Sequence, residues 1–134
     1  MRHDVYSGIL KLKGEDFEDT LMTANNYAKS LKDLERFEEA RKLLRKTIPV
    51  TRRVLGEGNT LTLRMRWIYA ETLYKADRAT LADLREAVAT LEDAERIARR
   101  VLGGAHPLTM QIEGELRNAR AALRARETPS ARTA

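Results

Sequence analysis

The chain has 134 residues, 43% hydrophobic and 34% charged, with a formal charge of +5 and no cysteine. That composition excludes a disordered chain, and the missing cysteine excludes a disulfide framework, a thiolate zinc site and a cysteine nucleophile. No apolar run approaches the roughly 18 residues of a membrane span, and Met1-Arg2-His3-Asp4 lacks a signal peptide's apolar stretch. A single soluble, cytoplasmic domain is expected.

The elements recur. Gly14-Glu15-Asp16, Gly56-Glu57-Gly58 and Gly103-Gly104-Ala105 precede Thr20-Leu21, Thr62-Leu63 and Thr109-Met110. The step is 42 residues from Gly14 to Gly56 and 47 from Gly56 to Gly103, so the second copy carries about five extra residues. Self-similarity at this period is the signature of a stacked helical array.

Taken in order, residues 5–13 place Val5, Ile9 and Leu12 at helical spacing. They read as the last turns of an unfinished unit, a partial cap packed on the first full one. That full unit spans 18–56. Its first helix carries Leu21, Ala24, Ala28 and Leu31 on one stripe of a 3.6-residue period. Asp33 to Arg36 make the turn. The second helix points Phe37, Ala40, Leu44, Thr47 and Val54 inward, and its acidic start and basic end suit the helix dipole. Pro49 predicts a kink near Arg45 to Pro49, not a lost helix, because the apolar stripe resumes beyond it. Gly56 ends the helix.

The second unit spans 59–103. Asn59 is suited to cap the first helix, which buries Leu63, Ala70 and Leu73. Thr80-x-x-Asp83 has the form of a capping box and restarts the chain as a helix burying Leu84, Ala87, Val88, Leu91, Ala94, Ile97 and Val101. A final helix over 107–126 opens with His106 at the cap and Pro107 at the first helical position. Met110, Ile112, Leu116, Ala119 and Leu123 form its apolar side. Arg117 and Arg120 replace the Ala and Leu of the earlier units, as a terminal helix requires when no further helix packs on it. Residues 1–127 thus form one domain, and 128–134 a flexible tail.

Chemistry has little foothold. His3 is terminal and His106 caps a helix, and no metal-spaced cluster, nucleophile motif or phosphate loop is present. Glu38, Glu39, Glu92 and Asp93 alternate with basic residues and read as solvated ion pairs. No catalytic residue, metal or cofactor is implied, and the chain is not expected to be an enzyme. Arg117, Arg120, Arg124, Arg126 and Arg132 read as a solvated face and tail; nucleic-acid binding through them is the weaker alternative.

The residues TANNYAKSLKDLERFEEARKLLRKTIPVTRRVLGE resemble the tetratricopeptide repeats of the kinesin light chain type, with their spacing of about 42 residues. The Thr-Leu start, Asn25-Asn26-Tyr27-Ala28, Phe37-Glu-Glu-Ala40, Arg-Arg-Val-Leu-Gly at 52–56 and 99–103, and Gly-x-x-His-Pro at 103–107 carry the likeness over about residues 12 to 126. Glu35 stands where the family's turn usually has Gly. The resemblance implies a right-handed α-solenoid of antiparallel helix pairs whose first helices line a concave, peptide-holding surface.

On that surface Met22, Asn25, Lys29 and Lys32 share one face of the first helix, distinct from the stripe that packs inward. Arg64, Trp67, Glu71 and Tyr74 match them on the next first helix, and Gln111, Gly114, Asn118 and Ala121 on the last. Asn25 offers an amide to a guest backbone, the basic groups attract carboxylates, and Trp67 and Tyr74 give flat apolar contact. The alternative is that Trp67 and Tyr74 pack between neighbouring helices and Asn25 bonds within the array. The expected function is a scaffold that binds an acidic peptide segment of another protein. Self-association of the array is the second reading.

Overall fold

The computed structural model describes residues 15–127. Among them are five helices and no strand: α1 (Glu15–Asp33), α2 (Phe37–Leu55), α3 (Thr60–Tyr74), α4 (Leu81–Val101) and α5 (Pro107–Glu127). The architecture is all-α, a helical repeat solenoid, as the sequence periodicity predicts. The cap expected over 5–13 and the tail at 128–134 lie outside the described residues.

Local chemistry sets the helix ends. The α1–α2 turn is tight: Glu35 N–H donates to Lys32 O at 2.9 Å and Arg36 N–H to Leu31 O at 2.8 Å. That double bond pattern is a Schellman stop, and it puts Glu35 at φ 61°, the left-handed conformation glycine adopts more cheaply. Asn59 Oδ1 accepts from Leu61 N–H at 2.8 Å to start α3. Thr80 and Asp83 exchange both bonds of a capping box, each at 3.0 Å, to start α4. His106 Nδ1 accepts from Leu108 N–H at 3.1 Å to start α5. Gly56 and Gly103, both at φ 95°, stop α2 and α4.

α2 runs unbroken through Pro49, which is exposed. The proline has no N–H for the Arg45 carbonyl, so one helical bond is missing there. Two threonine hydroxyls bracket the gap: Thr47 donates to Leu43 O at 2.6 Å and Thr51 to Thr47 O at 3.0 Å.

Packing follows the repeat. Thr20, Thr62 and Thr109 occupy one position of the unit and all are buried, as are Leu44 with Leu91 and Ala40 with Ala87. The alanines at these crossings let helix backbones approach, and leucines fill the space between turns. Each helix packs on its successor in the chain; in addition α1 touches α3, and α3 touches α5. The second helices α2 and α4 make no such approach. First helices therefore stand closer together than second helices, and the row curves toward them.

Three apolar positions differ from expectation. Val54 is 42% exposed, Val101 52% and Met110 57%. Val54 and Val101 sit in the last turn of a second helix, α2 and α4 respectively. Val101 lies over the preceding loop instead, so a Cβ built on Gly58 would fall 2.9 Å from its Cγ2. Met110 matches Leu21 and Leu63, which are fully buried because each has a second helix of its own unit against it. α5 has none among the described residues. Phe37 is half-buried and stays outside the core cluster.

Candidate functional site

The three first helices bring seven of the ten sequence-chosen groove residues to one cavity of about 390 Å³. α1 contributes Asn25, Lys29 and Lys32, α3 contributes Arg64, Trp67 and Glu71, and α5 contributes Gln111. Asn26 and Ile68 also line it and were missed. Each lies one residue off the chosen stripe; the adjacent Asn25-Asn26 pair was the available signal for Asn26, whereas Ile68 had none. Met22, Tyr74 and Asn118 do not line the cavity. Met22 is exposed beside it, and Asn118 is exposed on α5.

Two of the residues lining this cavity each keep a buried side-chain polar atom with no partner. Asn25, only 7% exposed, leaves Oδ1 without a donor, and Trp67 leaves Nε1 without an acceptor. A buried orphan of this kind costs about 1–3 kcal/mol. One is an acceptor on α1 and the other a donor on α3.

The charges divide into satisfied and unsatisfied. Glu71 is 3% exposed and takes Lys32 of α1 at 3.2 Å and Lys75 of its own helix at 2.6 Å. Lys32 also meets Asp33 at 3.0 Å. Burial works against the charged Lys32, but its bond to Asp33 and the Glu71 charge hold its pKa above the ordinary value. Its hydrogen bond in turn holds Asp33 below the usual carboxylate range. Exposed Lys29 lies 3.5 Å from Asp33. Arg64 has no carboxylate among the described residues within ion-pair distance, which makes it the uncommitted cation of the groove.

Tyr74 serves the array itself. Its hydroxyl donates to Glu115 across the α3–α5 contact, and burial followed by that carboxylate pushes its pKa well up. A matching latch joins α2, α3 and α4 on the other flank. Tyr69 donates to Glu86 at 2.5 Å and accepts from Arg45 Nε at 3.2 Å.

Asp93 departs from the solvated reading. It lies 2.8 Å from Arg66, which is itself buried on α3. Burial raises the carboxyl's pKa, but the Arg66 bond and charge outweigh that and hold it low. Glu92 does pair in solvent, with Arg120 at 2.9 Å. Of the other C-terminal arginines, Arg126 donates to Ala79 O at 2.7 Å. Among the described residues no group of His, Asp and Glu side chains could hold a metal ion, and no helix is long and apolar enough to cross a membrane.

Residues 20–60, which hold α1 from Thr20 onward, all of α2 and the step into α3, match the tetratricopeptide repeat family. Repeats of that family generally mediate protein–protein interactions. No curated protein and no solved structure matches the chain.

Proposed function

We propose that the cavity between α1, α3 and α5 holds an extended segment of another protein, and that this segment carries an acidic side chain. The observation that carries the reading is the pair of buried orphans. A guest backbone N–H satisfies Asn25 Oδ1, and a guest carbonyl satisfies Trp67 Nε1, which turns two standing penalties into binding energy. Arg64, still uncommitted, supplies the cation for the guest's carboxylate. Lys29 and Lys32 already face Asp33 and Glu71, so one acidic position is favoured over a long acidic run. Within its family the chain is read as the kinesin light chain type, on the 42-residue step and Gly-x-x-His-Pro at 103–107.

A peptide array varying charge position by position, followed by anisotropy titration of the retained peptides, tests this. Arg64→Glu is expected to weaken the best acidic peptide by about tenfold or more. Trp67→Phe, which keeps the ring packing and removes only the N–H, is expected to weaken it less but measurably. Undiminished binding by both variants, with helicity unchanged by circular dichroism, rules the groove out.

A further inference from the structure

What the lining of the concave cavity has left to give specifies the acidic group of its guest, on the reading that the guest is a peptide segment. Glu71, the carboxylate in that lining, is 3% exposed and is spent on Lys32 and Lys75. Asn26, Arg64 and Gln111 are exposed, and among the described residues their side chains have no hydrogen-bond or ion-pair partner. Lys29 has Asp33 at 3.5 Å, with both side chains more than half exposed, and such a pair contributes little in water. These four side chains reach one cavity of about 390 Å³ from three helices. Each of them can donate.

Charge points the same way. Three cations, Lys29, Lys32 and Arg64, stand against one carboxylate, Glu71, which leaves two positive charges unmatched in the lining. Lys75 and Asp33 lie outside the lining and offset each other. A guest carboxylate brings one charge and two oxygens, and the planar fork of Arg64 alone satisfies it. That leaves Lys29 and both amides without a role. A phosphoryl monoester brings about −1.5 to −2 charge at neutral pH and three strong acceptor oxygens. It matches both the unmatched charge and the number of donors.

We propose that the acidic group this groove selects is a phosphoryl group, carried on a serine or threonine of the guest segment and bound chiefly by Arg64 and Lys29. Arg64 takes two of its oxygens and Lys29 the third, while Asn26 and Gln111 donate to the remaining lone pairs. Lys32 stays with Glu71 and contributes through its charge.

The probe is a set of three short-peptide pools with phosphoserine, Glu or Ser fixed at the centre and every other position mixed. Each pool is passed over the immobilised full chain, and retained peptides are titrated by anisotropy. Phosphoserine peptides are expected to bind about tenfold tighter than their Glu counterparts at neutral pH. Lys29→Gln is expected to remove that advantage and to leave the Glu peptides within about twofold of the parent. Arg64→Gln is expected to weaken both kinds, with helicity by circular dichroism unchanged in either variant. Inorganic phosphate alone is expected to compete weakly, because it lacks the guest's backbone.

Glu peptides that bind as tightly as phosphoserine ones, or an advantage that survives Lys29→Gln, would overturn the phosphoryl assignment and leave the peptide site standing. Inorganic phosphate that binds as tightly as the phosphopeptide would overturn it too, by making a free anion the ligand. Equal retention of all three pools by the parent and by an Arg64→Glu chain would remove the groove itself, and this assignment with it.

Discussion

The Glu71 carboxylate on α3 lies 3.2 Å from Lys32 Nζ on α1, a nearly dry contact that ties two first helices together at the edge of the groove. Glu71→Gln keeps the shape and removes the charge, leaving Lys32 half-buried beside Asp33 alone. Unfolding free energy is expected to fall by about 2 kcal/mol, read from urea midpoints at neutral pH. A change under about 0.5 kcal/mol would mean that water serves Lys32 as well as Glu71 does.

Leu44 and Leu91 hold the same repeat position and are fully buried. Either one changed to Ala is expected to cost about 2–5 kcal/mol, through lost transfer energy and the cavity left behind. Val54→Ala, at an exposed site, is expected to stay within about 0.5 kcal/mol of the parent. Thermal melts of the three variants should separate cleanly, and a costly Val54→Ala would contradict its placement.

Glu35 sits at φ 61° in the stop between α1 and α2. An L-residue pays roughly 1–2 kcal/mol for that conformation, and glycine does not. Glu35→Gly is expected to raise stability by about 1 kcal/mol after glycine's extra unfolded-state entropy is taken into account. Glu35→Ala should give no such gain. An unmoved midpoint in the glycine variant would show the turn to be unstrained.

Acid sensitivity should run through Asp93. Arg66 holds its folded pKa below the ordinary 3.8, so the unfolded chain takes up the proton first as pH falls. The stabilisation is therefore complete above 3.8 and is lost as pH drops through the lower folded value. Asp93→Asn is expected to lower stability at neutral pH and to flatten its decline below that point. Parallel acid-unfolding curves for the two proteins would place the sensitivity elsewhere.

Much of the fold was legible because its signals are local. A 3.6-residue stripe marks Leu21, Ala28, Leu31, Leu44 and Leu91 as inward whatever lies beyond them, and a cap is decided by residues two or three apart. Asn59, Thr80 with Asp83, and His106 all cap as their positions dictate. Val54, Val101 and Met110 carried the same apolar signal and were misplaced. Burial depends on what packs against a residue, and nothing in a helix's own period states that.

The groove divides the same way. Spacing put Asn25, Lys29 and Lys32 on one face of their helix and the repeat matched Arg64, Trp67, Glu71 and Gln111 to it, while the family resemblance made those faces one flank. Tertiary packing decided which of them have interactions left to make. It joined Glu71 to Lys32 and Tyr74 to Glu115, and it left Asn25 Oδ1, Trp67 Nε1 and Arg64 unpaired. Pairing across helices depends on their offset and separation, which are set by how whole side chains interdigitate and by no short stretch of sequence.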